Sequence, residues 1–147
     1  MIIVNGHTKN VISYGTELVT NSGFDNNVDG YVTGDYVITW NAGICDFNAP
    51  SGNGFFRTPQ ITVESGSDYV FSFKAKRGTA SSLKYSVWSD SDIIPPTSYT
   101  VGTSDFETVS VQFTVPVGKT FVQIYPARDI GVAGTAFFDD ISLKKIL

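Results

Sequence analysis

Short runs in which apolar and polar residues alternate, each bounded by turn-forming residues, make up most of this chain. In residues 68–76, for example, Phe71 and Phe73 fall on one face of an extended backbone, and Ser72 and Lys74 fall on the other. This period of two is the pattern of a half-buried β-strand, because successive side chains of a strand point to opposite faces. The same alternation recurs at residues 82–88, 108–115, 121–125 and 136–144.

The regular spacing of these runs and turns predicts an all-β domain. No window has the period of an amphipathic helix, and the aromatic content of 14% suits strands. Roughly eight to ten short strands separated by turns indicate an antiparallel two-sheet β-sandwich with jelly-roll topology. The alternation predicts a core made of Phe71, Phe73, Leu83, Val109, Val111, Phe113, Ile124, Ile141 and Leu143.

Turn residues lead to two finer predictions. Gly34 and Asp35 separate the apolar runs at residues 31–33 and 36–40, which is the pattern of a β-hairpin. Pro59 has no amide hydrogen to donate, so we expect it at the edge of a sheet or at a bend.

The last alternating run carries two adjacent carboxylates. Strict alternation places Phe137 on the same face as Ile141, with Phe138 on the opposite face. By the same rule Asp139 and Asp140 point to opposite faces. They therefore cannot flank one glycosidic bond, as the carboxylate pair of a glycosidase must.

The other candidate catalytic residues are also poorly placed, so we expect a protein without enzymatic activity. The single histidine, His7, lies far along the chain from the single cysteine, Cys45, which leaves little material for a nucleophile and its base. Asp90 and Asp92 could share a face, but they lie in a serine-rich turn without a visible partner, and we interpret them as solvated loop acids.

Charge and composition exclude several classes of partner. The net charge of -4 and the lack of a basic patch argue against nucleic acid. No apolar run is long enough to cross a membrane, and residues 1–7 do not form a secretory leader, so we expect neither a membrane partner nor a signal peptide. Cys45 is the only cysteine, which rules out an internal disulfide and fits assembly in a reducing compartment.

Three segments resemble carbohydrate-binding modules of the CBM4/9/22 type. Residues 17–25 (ELVTNSGFD) resemble the opening strand of those modules, and residues 61–76 resemble their central hairpin. Residues 134–143 resemble their closing strand, with an aromatic residue, two aspartates, an apolar residue and a leucine. The resemblance implies a galactose-binding-like jelly roll, a module at residues 17–147 and a separate N-terminal arm at residues 1–16.

The resemblance also implies a structural calcium ion that ties the opening strand to the closing strand. Asp25 matches the acid that follows the phenylalanine of the opening motif, and Asp140 or Asp139 matches the acid of the closing motif. Glu17 is a further source of oxygen ligands, which Ca²⁺ prefers. The alternative is that Asp25 caps a turn and that Asp140 accepts hydrogen bonds from backbone amides.

The resemblance further implies a ligand site in which aromatic rings stack on sugar rings and polar side chains bind hydroxyl groups. Trp88 and Tyr125 are the candidate stacking residues, and Lys84, Gln123 and Arg128 are the candidate hydrogen-bonding residues. Alternation places Trp88 on the same strand face as Lys84 and a serine. Polar neighbours of this kind are unusual for a tryptophan in a protein core. The core and ligand interpretations of Trp88 both stay open here.

Three more aromatic residues could face outward. Tyr31 and Tyr36 flank the predicted turn at Gly34, and Trp40 lies shortly after it. Because the resembling modules often keep a packed tryptophan at the position of Trp40, we interpret Trp40 as a core residue rather than a ligand contact.

Together these features predict a non-catalytic binding module. We expect it to be displayed on a virion as a capsid or tail decoration or adhesion protein that binds glycans or another virion protein, with self-association into a homo-oligomer open. The partly apolar arm at residues 1–16 suits strand addition to such a partner. The alternative is an extracellular carbohydrate-binding domain cut from a secreted glycoside hydrolase.

Overall fold

The computed structural model describes residues 2–4, 7–9, 11–34, 37–49, 54–128 and 134–147, and side chains only from residue 11 onward. Every regular element in these ranges is a β-strand, as the alternation predicted. No helix formed by the described residues is long and apolar enough to cross a membrane. The strands are β1 (Ile2–Val4), β2 (His7–Lys9), β3 (Val32–Thr33), β4 (Val37–Asn41), β5 (Ile44–Ala49), β6 (Phe55–Arg57), β7 (Ile61–Thr62), β8 (Asp68–Arg77), β9 (Leu83–Trp88), β10 (Asp92–Tyr99), β11 (Glu107–Thr114), β12 (Phe121–Tyr125), β13 (Ala127–Arg128) and β14 (Gly134–Lys145).

The first layer of the fold is a five-stranded antiparallel sheet in the order β11-β8-β14-β5-β4. The long strand β14 lies at its centre and pairs with β8 on one side and with β5 on the other. In the pairing of β8 with its neighbours, Phe71 lies opposite Leu143 and Phe73 lies opposite Val109. These apolar side chains share the face that packs into the core.

The second layer combines a four-stranded sheet, β10-β9-β12-β7, with a three-stranded sheet, β13-β6-β3. The chain passes directly from one of these sheets into the other at two prolines: Pro59 lies between β6 and β7, and Pro126 lies between β12 and β13. The two sheets therefore continue one another. Thr58 bridges the interruption: its amide donates to the carbonyl oxygen of Ile124 at 2.9 Å, and its hydroxyl oxygen accepts from the Ile124 amide at 3.1 Å. The expected bend at Pro59 and the two-sheet sandwich are therefore confirmed.

The core lies between the two layers and is rich in aromatic rings. Phe138 of the first layer packs against Phe56 of the second, with ring centroids 5.4 Å apart, and against Phe73 at 6.1 Å. Of the nine predicted core residues, seven are buried. Val109 and Val111 are half-buried and pack against the core from β11, at the edge of its sheet.

The predicted hairpin at Gly34 and Asp35 is wrong. The two strands around it belong to different sheets, since β3 pairs with β6 and β4 pairs with β5. The hairpin lies one strand later, at Ala42 and Gly43, whose positive φ angles of 49° and 87° match the twist of two antiparallel strands. Asp35 and Tyr36 lie outside the described residues.

The predicted alternation of the closing strand is also wrong at one point. The pairing of β14 with β8 shifts register between Asp139 and Ser142, and Asp140 has a φ of 49°. This β-bulge adds a residue, so that Phe138 and Ile141 both enter the core. The ring of Phe137 instead lies under the ammonium group of a lysine on β8, at 5.1 Å.

Among the described residues, hydrogen bonds between the N-terminal segment and the closing strand are present from Ser13 onward. β1 and β2 form an antiparallel pair of their own. The amide of Leu147 then donates to the carbonyl oxygen of Ser13 at 3.0 Å, and the amide of Gly15 donates to the carbonyl oxygen of Lys145 at 2.8 Å. The described contacts of the predicted arm at residues 1–16 with the closing strand thus begin near its end. A contact between the arm and another chain stays a prediction.

Deletion of residues 1–12 should leave a folded domain, because the hydrogen bonds to the closing strand that the described residues form begin at Ser13. We expect the free energy of unfolding, measured by urea titration, to change by less than about 0.5 kcal/mol, while any self-association seen by light scattering weakens. Deletion of residues 1–18 is the matched control and should destabilise the domain, since it also removes the bonds to Lys145 and Leu143. Unfolding by the shorter deletion would make the arm part of the core.

Candidate functional site

Strand register in the second layer brings the predicted ligand residues to one surface. In the pairing of β9 with β12, Trp88 lies opposite Gln123, and Ser86 lies opposite Tyr125. Opposed residues share a face of the sheet, and the intervening Val87 is fully buried in the core. We call the face away from the core the outer face, and its central residues are Lys84, Ser86, Trp88, Gln123 and Tyr125. Lys84 and Trp88 are half-buried, whereas the other three are buried, so the predicted stacking residue Tyr125 exposes only 8% of its surface.

Arg128, the fifth predicted ligand residue, reaches this face from β13. Its Nη1 atom donates to Asp92 Oδ1 at 2.5 Å and to Ser86 Oγ at 3.2 Å. The guanidinium carbon lies 5.0 Å from the ring centroid of Tyr125. The side chain therefore extends across β9 as far as β10 and covers Ser86, which has no exposed surface.

Trp88 is half-buried, and its ring lies beside that of Phe121 with centroids 6.2 Å apart. Residues 93–96, which follow Trp88 closely in the sequence, belong to the edge strand β10. Within it, Ile94 lies opposite Val87 and packs against the core. Since β10 continues the sheet alongside β9, part of the Trp88 ring stays accessible to solvent.

Gln123 and Lys84 offer polar groups that the protein itself does not use. Gln123 is only 6% exposed, yet its side-chain amide makes no hydrogen bond with the described residues. Its amide atoms are not among the fully buried, unpaired side-chain atoms of the described residues, so the small exposed part of Gln123 includes its amide, which can bind a polar partner from outside. Lys84 is half-buried and forms no ion pair with any described carboxylate.

Further aromatic and cationic residues extend the outer face beyond Tyr125. The ring of Phe55 meets that of Tyr125 edge to face at 5.7 Å, and the guanidinium of Arg57 lies 5.6 Å from the Phe55 ring centroid. Sequence reasoning missed both residues because Pro59 interrupts their segment and hides its register. It also missed Phe121 as a neighbour of Trp88, although alternation already placed Phe121 with Gln123.

Of the three other aromatic candidates, the two that the structure describes do not join this face. Tyr31 packs against core rings, 4.9 Å from Phe24 between centroids, and burial raises the pKa of its hydroxyl. The expectation of an outward Tyr31 is therefore wrong. Trp40 is 41% exposed on the edge strand β4, so its interpretation as a core residue is wrong. Its Nε1 donates to the carbonyl oxygen of Phe24 at 2.7 Å, which holds the ring against the edge of the sheet. Tyr36 lies outside the described residues.

The two turn acids differ from expectation, because each has a cationic partner. Asp90 lies 3.4 Å from the ammonium of Lys119, and Asp92 forms the short ion pair with Arg128. Asp92 therefore helps to place the Arg128 guanidinium on the outer face.

The predicted calcium ligands do lie close together, on the other layer. Asp25 Oδ1 and Asp140 Oδ1 are 3.5 Å and 3.7 Å from the position that a Cβ atom on Gly23 would take. The bulge in β14 brings them together, since the Ile141 amide donates to the carbonyl oxygen of Ser22 at 2.9 Å. Two carboxylates and nearby backbone carbonyls are suitable calcium ligands.

Three features limit this fit. The ammonium of Lys74 already lies 2.6 Å from Asp140 Oδ2, and the described residues contain no group of three or more acidic, histidine or cysteine side chains able to hold a metal. Glu17, the further oxygen source, is engaged elsewhere: its carboxylate accepts hydrogen bonds from the amides of Leu18, Val19 and Leu143 and from the hydroxyl of Ser142. A calcium ion would therefore need Asp25, Asp140 and backbone oxygens, and it would displace Lys74.

Comparisons with solved structures show the fold. The second N-terminal cellulose-binding domain of Cellulomonas fimi β-1,4-glucanase C is similar, with a TM-score of 0.69 and 17% identity over 88% of this chain and 94% of that one. A structure described as "CBM4 structure and function" has a TM-score of 0.67 and 22% identity over 86% and 99%. The CBM22-1 xylan-binding domain of Paenibacillus barcinonensis Xyn10C has a TM-score of 0.65 and 12% identity over 90% and 96%.

The same fold also occurs in proteins of other kinds. The enzymatically active domain of bacteriophage CBA120 tailspike protein 4 has a TM-score of 0.66 and 15% identity over 88% of this chain and 21% of that chain. A Stig cyclase from Fischerella has a TM-score of 0.65 and 11% identity over 90% and 98%. No protein-family model matches the sequence, and no curated protein matches it. The expected resemblance to CBM4 and CBM22 modules is confirmed at the level of the fold.

Calcium bound between Asp25 and Asp140 should make the stability of the domain sensitive to a chelator. A ligand present at about 100 times its dissociation constant stabilises a fold by roughly 2.7 kcal/mol, so EDTA should lower the melting temperature by several degrees. Asp140→Asn is the matched variant and should abolish this sensitivity, whereas Asp90→Asn should keep it. A melting curve that EDTA leaves unchanged would contradict a structural calcium ion between Asp25 and Asp140.

Proposed function

We propose that this chain is a non-catalytic carbohydrate-binding module and that its outer face holds a glycan chain. The observation that carries the proposal is the arrangement of Trp88 and Gln123 on adjacent strands. A partly exposed indole ring lies there beside a nearly buried amide without a described partner. Sugar rings require this combination, because a pyranose presents an apolar C–H surface to a ring and its hydroxyls to amides and cations.

The remaining residues of the outer face fit the same task. Stacking removes apolar area from water at about 25 cal/mol per Å², which Trp88 can supply together with the neighbouring Phe121. Lys84 and Arg128 are positioned to donate to hydroxyl groups on the same face. Because the sheet itself orders these side chains, little conformational entropy is lost when a ligand binds.

The described residues support binding rather than catalysis. On the outer face, the carboxylate of Asp92 is already paired with Arg128, and the described strands place no second carboxylate beside it to complete a glycosidase pair. Cys45 is fully buried, and burial raises the pKa of its thiol to about 12, which removes the thiolate that nucleophilic catalysis needs. A cyclase shares the fold, so the proposal rests on these residues and not on the fold.

For the location of the module we propose the surface of a virion. The similarity to a phage tailspike domain supports this setting, and in that protein the matched region is about a fifth of the chain. The partner there would be a glycan or another virion protein. The alternative setting is an extracellular glycoside hydrolase, which the similarity to CBM22 modules attached to a xylanase supports equally. Detection of the protein in purified particles would separate the two.

Replacement of Trp88 by alanine should abolish most binding with little loss of stability. We expect affinity for the best ligand in a panel of cellulose-type, xylan and mixed-linkage polysaccharides, measured by affinity electrophoresis, to fall by at least about tenfold, which corresponds to roughly 1.4 kcal/mol. The free energy of unfolding should change by less than about 1 kcal/mol, and Trp88→Phe should retain part of the binding.

Trp40→Ala is the matched control, since it removes the other tryptophan and its hydrogen bond to Phe24. It should lower stability and leave binding unchanged. If Trp88→Ala instead destabilises the fold by about 3–5 kcal/mol, as a core truncation does, then Trp88 is a core residue and the outer face loses its main stacking group.

A further inference from the structure

We propose that the outer face selects glycans that carry carboxylate groups, so that its ligand class is an acidic, uronic-acid-type polysaccharide. This inference rests on the proposed function and names the substrate class of the same face. It follows from the juxtaposition of Lys84, Arg128 and Arg57 around Tyr125, on the surface that also presents Trp88.

The charges of the outer face are unbalanced. Among the described residues it holds three cations, Arg57, Lys84 and Arg128, against the single carboxylate of Asp92. Of these cations, only Arg128 has an ion-pair partner within the described part of the chain. The outer face is therefore positive in a protein whose net charge is -4. Asp35 and Asp129 lie outside the described residues and are not included in this balance.

Four lysines elsewhere on the protein are engaged by other side chains, whereas Lys144 on the first layer is not engaged by any described side chain. Lys74, Lys119 and Lys145 each form an ion pair with a carboxylate. Lys76 lies between two aromatic rings, 5.2 Å and 5.1 Å from their centroids. Lys84 has neither kind of contact among the described residues, so its ammonium group is available to a ligand.

Lys84 and Arg128 flank one spot on the outer face. Lys84 and Ser86 are alternate residues of β9, about 7 Å apart along a strand that rises roughly 3.3 Å per residue, and Arg128 Nη1 lies 3.2 Å from Ser86 Oγ. The hydrogen bonds of Arg128 with the described residues use Nη1 alone, which leaves Nη2 and Nε to donate. A guanidinium edge and an ammonium on either side of one position suit a carboxylate.

The positions of the aromatic residues indicate the direction in which a glycan chain would lie across the outer face. Trp88 follows Ser86 by two residues on the same face and lies next to Phe121. A sugar ring stacked on Trp88 would place a neighbouring residue of the chain over the Arg128 guanidinium that covers Ser86, where its carboxylate can meet Lys84 and Arg128. The ligand therefore combines an apolar ring face with a carboxylate on an adjacent ring.

The test compares acidic polysaccharides with their own neutral forms. Oligosaccharides of polygalacturonate, alginate and hyaluronan are each titrated calorimetrically beside a counterpart whose carboxylates have been reduced to alcohols. Cello- and xylo-oligosaccharides complete the panel. We expect at least one acid to bind about tenfold tighter than its reduced form, and this preference should shrink when the salt concentration is raised.

Lys84→Met is the decisive variant, because it keeps the length of the side chain and removes its charge. It should weaken binding of the acid several-fold more than binding of the reduced form, which loses only a hydrogen bond to a hydroxyl group. Lys144→Met, on the first layer, removes one charge from a different surface and should have no effect. If both variants weaken the acid equally, the preference is a long-range charge effect and the proposed carboxylate position is wrong.

The remaining outcomes separate the inference from the proposed function. Binding of reduced or neutral oligosaccharides as tight as that of the acids, and sensitive to Trp88→Ala, overturns the acidic selectivity and retains the binding module. No binding to any member of the panel overturns both.

Discussion

Burial of aromatic and aliphatic side chains between the two layers determines where every other side chain of this protein can point. Phe56 and Phe138 meet across the layers at 5.4 Å, and Val87 and Ile124 on the adjacent strands β9 and β12 are completely buried. Because strand side chains alternate, burying Val87 and Ile124 forces the residues on either side of them outward. The outer face is therefore a direct consequence of how the core packs.

The composition of that face is then unusual for a surface created only by alternation. A solvated sheet face would carry short polar residues, whereas this one carries an indole, a buried amide and an arginine that extends across a whole strand. The Arg128–Asp92 ion pair joins β13 to β10 over Ser86, which holds the guanidinium in one place. Pre-ordered side chains of this kind favour binding, since fewer rotamers have to be restricted when the ligand arrives.

The fold and much of the candidate site could be predicted from the sequence because both depend on a period of two. Alternation in residues 82–88 and 121–125 is sufficient to place Trp88, Gln123 and Tyr125 away from the core, and the pairing of β9 with β12 then brings them together. The resemblance to CBM4 and CBM22 modules anticipated the same architecture, which the structural comparisons confirm.

Local backbone geometry could not be predicted in the same way. The bulge at Asp140 depends on a left-handed φ of 49° in a residue that is not glycine, and no periodic pattern reveals it. The apparent hairpin at Gly34 failed because the two runs around it enter different sheets, a long-range choice that turn residues alone do not encode. Phe55 and Arg57 were missed because Pro59 breaks the alternation that would have placed them.

An NMR titration that follows the two tryptophan indole N–H signals separately tests most directly whether the outer face binds glycans. Trp88 lies on the outer face of the second layer. Trp40 lies on β4 of the first layer, and its indole N–H donates to the carbonyl oxygen of Phe24, so each indole reports on a different surface. When a binding oligosaccharide is added, we expect a saturable shift of the NMR signals of the Trp88 indole and of the Gln123 side-chain amide, with the Trp40 indole signal unchanged. A shift of Trp40 while Trp88 and Gln123 stay still would contradict this expectation.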